Sequence, residues 1–183
     1  MATPRRRTWS VAAATVALGA GCGQASARIV QLPDSPISFQ VPVSFAELTQ
    51  SGDPGAVYGR PGSSAGEVGD QPVLFIAAAA NGDLASYKAL RSLATNGQYD
   101  PLDSSLSSLP DGAQLIDYKE INAGRVWGIR LKLAVSGAAK DFQALIDRTS
   151  NSLVVTEVTC TQSCFNQQAT LIEHIQGSWS LES

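Results

Sequence analysis

From residue 37 onward the chain is dominated by apolar residues that alternate with polar ones. In ISFQVPVSF, Phe39, Val41 and Val43 alternate with Ser38, Gln40 and Pro42. That pattern predicts a first strand, placed near a sheet edge because Pro42 has no amide to donate to a ladder. A short strand candidate, AVYGR at 56–60, lies inside a Gly-, Pro-, Ser- and Asp-rich stretch covering residues 50–72. VLFIAAAA at 73–80 is a continuous apolar run and predicts a strand buried on both faces. The period then changes. Asn81-Gly82-Asp83 reads as a turn with Asp83 as helix cap, and Leu84, Tyr87, Leu90 and Ala94 recur at helical spacing until Gly97 stops the run.

Residues 100–112 are loop in composition, and alternation resumes after them. AQLIDYKEI and RVWGIRLKLAV flank the turn Asn122-Ala123-Gly124 and predict a hairpin. In the return strand Trp127, Ile129, Leu131, Leu133 and Val135 share one face, and Gly128, Arg130, Lys132 and Ala134 share the other. This reads as a half-buried antiparallel strand with its second face toward water. A second hairpin, DFQALIDRT and LVVTEVTCT, turns at Ser150-Asn151-Ser152. The last segment sets Phe165, Ala169, Ile172, Ile175 and Trp179 on one helical stripe. The order of elements predicts an α+β fold: a single domain over 37–183, a curved antiparallel β-sheet flanked by two main helices.

The N-terminus follows a different plan. Arg5, Arg6 and Arg7 precede an uncharged apolar stretch from Trp9 to Ala20, which is the layout of a secretory signal over residues 1–21. The stretch is short of the about 20 apolar residues that cross a bilayer. Two cuts overlap behind it. One falls before Cys22 and leaves a cysteine that can carry lipid. The other falls after Ala27, behind Ala25-Ser26-Ala27, and leaves a freely secreted chain. Residues 22–36, with Pro33 and Pro36 and no helical period, read as a flexible tether reaching some 45 Å when extended.

Charge and cysteines narrow the class further. The formal charge is −3, and removing the three arginines of the signal makes it more acidic. Such a chain has no electrostatic footprint for nucleic acid and no polybasic patch for anionic lipid. Beyond Cys22 the cysteines are Cys160 and Cys164, in CTQSC. In an exported protein that pair reads as a disulfide pinning a strand-to-helix junction. A zinc site wants about four ligands, and His174 offers one more at most. No cofactor motif is present: there is no P-loop, no dinucleotide fingerprint after a strand and no H-E-x-x-H.

One enzyme-like string stands out. GSSAG at 62–66 matches G-x-S-x-G with Ser64 as nucleophile, and Asp147 and His174 follow in the order of such a triad. Its flanks, Arg60-Pro61 and Glu67-Val68-Gly69-Asp70, supply neither the strand before nor the helix after that the elbow needs. His174 falls off the apolar stripe and reads as a solvated histidine. The pair Asp100/Asp103 lacks the spacing of a calcium loop. Tyr118, Trp127 and Trp179 lie on periodic apolar faces and read as core.

The signal with Cys22, ISFQVPVSF, GDLASY, RVWGIRLKLAV, LVVTEVTC and IEHIQGSW, in this order and spacing, resemble the actinobacterial LpqN/LpqT-type lipoproteins of Mog1p/PsbP-like fold. The resemblance covers most of residues 37–180. It implies a non-enzymatic cell-envelope lipoprotein, anchored through lipid on Cys22 at the outer face of the membrane, that binds an amphipathic ligand or an envelope membrane protein. It carries over no catalytic residues. One departure is Gly19, where such signals usually have Leu, Val or Ile three residues before the cysteine. Two alternatives stay open: a secreted serine hydrolase using Ser64, and an assembly factor without a small-molecule ligand. The loop-rich segment 50–72 is the expected binding region, because binding loops commonly ride on a rigid scaffold.

Overall fold

The computed structural model of the protein describes residues 26–32, 35–48, 55–65, 67–80 and 113–181. The signal, Cys22, the helix expected at 84–97 and the loop at 100–112 lie outside the described residues. Ten strands and two helices are described: β1 (Ala27–Gln31), β2 (Ile37–Pro42), β3 (Ala46–Leu48), β4 (Ala56–Gly59), β5 (Val73–Ala80), β6 (Gln114–Ala123), β7 (Val126–Val135), β8 (Ala138–Asp147), β9 (Ser152–Thr161), α1 (Gln162–Gln167), α2 (Ala169–Gly177) and β10 (Ser180–Leu181).

The alternation of the C-terminal half becomes a four-stranded meander. β6 to β9 pair antiparallel in sequence order, each with its chain neighbour. Gly124 (φ 62°), Ser136 (φ 41°) and Gly137 (φ 85°) take the left-handed conformations that tight hairpin turns of matching twist require. β5 then joins β9, from Val73↔Thr159 to Ala80↔Ser152, and carries β4 and β3 at its other side. The seven-stranded order is β3-β4-β5-β9-β8-β7-β6, and a second sheet has the order β1-β2-β10.

The small sheet and α2 pack on one face of the large sheet. Phe39, Val41, Ile172 and Ile175 meet Tyr58, Leu74, Ile76, Leu145, Val154 and Val158 in the main core. Each fully buried side chain of this size contributes about 1.5–3 kcal/mol of transfer free energy. The opposite face carries a second buried cluster of Ile129, Leu131, Leu133, Ala144, Ile146 and Leu153.

Four expectations are corrected. The tether expected over 22–36 is interrupted, because Ala27–Gln31 is a strand paired with β2 from Ala27↔Pro42 to Gln31↔Ser38. Ile29 and Val30 are β-branched, and Val30 is buried in the main core, which offsets the cost of ordering five residues. Second, β2 is the middle strand of its sheet, not an edge. Pro42 is its last residue, and beyond it Val43 is 49 % exposed instead of continuing the apolar face.

Third, the second face of β7 is only partly open to water: Lys132 keeps 26 % of its side chain exposed, but Arg130 is buried at 8 % exposure under α2, where acids receive it. Fourth, the terminal helix is two helices. Gln168 leaves helical geometry (φ −103°, ψ 14°), and Trp179 falls beyond the end of α2. The break lets α1 follow the disulfide while α2 turns Ile172 and Ile175 onto the core.

Candidate functional site

The strands of the large sheet define two ends. Leu115, Leu133, Lys140, Thr159, Val73, Gly59 and Ala46 are successive cross-strand partners and form one row across all seven strands. This row marks what we call the near end. Ala123, Val126, Asp147, Ser152 and Ala80 form a corresponding row at the far end.

A groove of about 200 Å³ opens at the near end, on the face away from the small sheet. Val57, Val73 and Phe75 give it an apolar floor from β4 and β5, and Lys140, Glu157 and Thr159 line it from β8 and β9. Glu67 and Val68, from the loop between β4 and β5, close its rim. The loop is latched there. The Thr161 amide donates to the Gly69 carbonyl at 2.9 Å, and the Thr161 hydroxyl donates to Asp70 at 3.0 Å. The same hydroxyl oxygen accepts from the Cys164 amide at 3.3 Å and so caps α1. Cys160 and Cys164 are disulfide-bonded, with Cα atoms 6.0 Å apart. Loop, strand end and first helix are therefore held at one point.

Three of the groove's polar groups are paired with each other. Lys140 donates to Glu157 at 2.6 Å, and the Thr159 hydroxyl donates to the same carboxylate oxygen at 2.8 Å. A satisfied ion pair beside an apolar floor suits an apolar or amphipathic guest. The volume is below the about 300–1,000 Å³ of sites for whole drug-sized ligands and fits a short acyl stretch or an apolar side chain or two.

A second polar constellation lies under α2. Asp141, with no exposed surface, receives Nε of Arg130 at 2.7 Å and its NH2 group at 2.5 Å. Glu173 of α2 receives Arg130 at 2.6 Å and Lys132 at 2.5 Å. Gln176 donates to the Asp141 carbonyl at 2.6 Å and accepts from the Thr156 hydroxyl at 2.6 Å. Burial works against the Arg130 charge, but the bonds and charges of Asp141 and Glu173 outweigh it and raise its pKa. These contacts fasten α2 to the sheet with each charge already committed, which makes a clamp and leaves no free acid or base at Arg130 or Asp141.

The triad suggested by sequence is not assembled. Ser64 is exposed in the near-end loop, followed by Glu67–Asp70 without a helix. Asp147 stands at the far end, seven residues up β8 from Lys140, or roughly 23 Å. There it accepts from the Thr149 amide at 3.0 Å and the Ser150 hydroxyl at 2.8 Å, with Arg125 at 3.3 Å. His174 is exposed on α2. Among the described residues no three His, Cys, Asp or Glu side chains converge as a metal site would need. Trp127 carries the Arg148 guanidinium over its ring at 4.4 Å, Tyr118 donates to Glu120 at 2.9 Å, and Trp179 packs on the main core. The expected loop contributes Glu67 and Val68. Lys140, Glu157 and Thr159 were not singled out from the sequence, although counting back equally from the Asp147↔Ser152 pair sets Lys140 opposite Thr159 and diagonal to Glu157.

Two antiparallel sheets and two helices make up the described part of the fold, and solved structures share its overall course. The chain is similar to the cyanobacterial PsbP (CyanoP) of Synechocystis sp., with TM-score 0.53 at 11 % identity, covering 91 % of this chain and 99 % of that one. It is also similar to the Ran-binding protein Mog1p of Saccharomyces cerevisiae (TM-score 0.49, 12 % identity, 86 % and 96 % covered). LpqN of Mycobacterium tuberculosis, described as involved in cell envelope biogenesis, aligns with TM-score 0.48 at 15 % identity over 80 % and 83 %. No protein-family model matches the chain, and no curated protein sequence does. The likeness is one of fold. No described helix is long and apolar enough to cross a membrane.

Proposed function

We propose that the chain is an exported, lipid-anchored envelope protein of LpqN/LpqT type, one domain that binds an amphipathic ligand or a membrane-protein partner and catalyses nothing. The observation that carries the anchor is the spacing between Cys22 and the fold. Cys22 follows the apolar run directly, and four residues later the Ser26 carbonyl already accepts the Val43 amide at 2.9 Å. A cut behind Ala27 would remove that acceptor and the first residue of β1, whereas a cut before Cys22 spares both. Arg28, which would become the new terminus, is itself engaged: it donates to the Phe45 carbonyl at 3.0 Å and lies over the Tyr58 ring at 5.2 Å.

The groove supports the binding half of the reading. Its floor is apolar, its ion pair is internally satisfied, and its rim loop is latched in place. The separation of Ser64 from Asp147 speaks against the hydrolase. Cys22→Ala is expected to move the protein from the membrane fraction to the soluble one, and intact-mass measurement of the wild type to find a diacylglycerol-modified Cys22. Wild type that is soluble and begins at Arg28 would refute the anchor. Native mass spectrometry of the purified chain tests the ligand: a co-purifying lipid supports the amphiphile, and ligand-free protein that crosslinks to an envelope protein moves the reading to an assembly factor.

A further inference from the structure

The exposed large apolar side chains among the described residues are Val43 (49 %), Val68 (47 %), Leu115 (42 %) and Ile116 (58 %). Singly, such residues are normal on a protein surface. Their placement is not scattered. Leu115 ends the near-end row of cross-strand partners at β6, with Ile116 beside it in a bulge. Val68 hangs over the middle of that row, against Val73, Lys140 and Thr159. Val43 precedes Ala46, the row's other end, by three residues, and Phe45 bonds back to Pro42. Six interstrand spacings separate the two edges, or about 29 Å.

The described turns at the opposite end are polar. Asn122, Gly124 and the turn Arg148-Thr149-Ser150-Asn151 are exposed there. Among the described residues the exposed large apolar side chains thus gather at the near end, around the polar turn Ser136-Gly137, and the far end carries none. The chain also enters at the near end. Ser26 bonds Val43, and Ala27 pairs with Pro42. Between Cys22 and Ser26 there are four residue steps, which span at most about 14 Å in any conformation.

We propose that the near end rests on the lipid bilayer, with Val43, Val68, Leu115 and Ile116 inserted among headgroups and upper acyl chains. The proposal rests on lipidation of Cys22 and adds an orientation to it. A leash this short brings the near end to the surface, and that end presents the exposed apolar tips. The contact is apolar in kind. Arg28, Arg60 and Lys140 at this end stand among Glu47, Glu67, Asp70 and Glu157, so there is no cationic excess for anionic headgroups. Salt is accordingly expected to leave the contact unchanged.

The test uses the lipidated full chain in nanodiscs of phosphatidylglycerol and phosphatidylethanolamine, with and without a gadolinium-chelating lipid, read by methyl NMR. The methyl signals of Val43, Val68, Leu115 and Ile116 are expected to lose most of their intensity to the gadolinium lipid. Those of Val126, Ile146 and Leu153, at the far end, are expected to keep theirs. In a Val68→Asp/Ile116→Asp variant, still anchored and still disulfide-bonded, the leash keeps the near end close to the surface but the difference between the ends should shrink clearly. Anchored wild type in which both ends broaden equally, or the far end broadens more, overturns the orientation and leaves the anchor standing. A difference between the ends that is undiminished in the variant overturns the assigned contact, as does near-end broadening that appears only when envelope proteins are added. Protein without lipid on Cys22, reported separately by its mass, overturns anchor and orientation together.

Discussion

Arg130 occupies a position where alternation along β7 points to water, yet it is buried because its charge is met on two sides. Removing one member of a buried pair leaves the other uncompensated, which costs about 3–5 kcal/mol, whereas replacing both by apolar residues is often neutral. Arg130→Ala is therefore expected to lower the unfolding free energy measured in urea by roughly this amount, and Arg130→Met with Asp141→Leu to recover most of it.

The acids of this clamp, together with Asp147 at the far end, also set the response to pH. Burial raises Glu173, but hydrogen bonds from Lys132 and Arg130 outweigh it, and the net pKa is lowered from 4.5. Burial likewise raises Asp147, and the Thr149 amide, the Ser150 hydroxyl and Arg125 bring it below 3.8. A carboxyl lowered on folding contributes stability above its unfolded value and loses it as pH falls through its folded one. Asp141 has the opposite sign: burial is its largest influence and raises it against the pull of Arg130, so its contribution declines as pH rises. The urea midpoint is expected to fall between about pH 5 and about pH 3, and Asp147→Asn and Glu173→Gln each to flatten that fall.

At the scale of elements, what could be read from the sequence depended on how local the deciding contacts were. The meander from β6 to β9 was legible because period-two faces and turn residues lie close together. β1 was not, since five residues between loop segments show no more than a fragment of a pattern, and the partner that orders them, β2, comes only after two prolines. The break at Gln168 was hidden too. The apolar stripe runs on through it, and what divides the helix is a clamp at Cys160 set against a core contact at Ile172. Of the candidate site, the sequence pointed to the loop that forms the rim but not to the Lys140–Glu157 pair, which needs the β8–β9 register.

The clamp itself can be measured. The disulfide closes a small ring, for which loop entropy gives about 2 kcal/mol. Cys160→Ala with Cys164→Ala is expected to lower stability by about that amount. Hydrogen exchange should speed up at Cys164 and Gln168, whose amides bond Thr161 and Cys164, more than at Ile172. Uniform acceleration along both helices would show that the ring does not act locally.

At the scale of the whole molecule, the large sheet is joined by the long-range pairing of β5 with β9, as the small sheet is by the pairing of β2 with β10. The β5–β9 pairing unites the N-terminal strands of the large sheet with the C-terminal meander and brings the loop before Val73 over Lys140 and Glu157, so groove and fold depend on the same register. The likeness to the cyanobacterial PsbP at 11 % identity fits this view: a fold is shared while the side chains differ. The four-residue leash has a consequence for who can be met. Each ten-residue strand adds about 33 Å beyond the near end. For a chain anchored at Cys22, the far-end turns then lie some 50 Å from the bilayer at most. For such an anchored chain anything fixed farther from the membrane would be beyond reach, and encounters would be confined to neighbours diffusing in the same membrane or to molecules that come down to it.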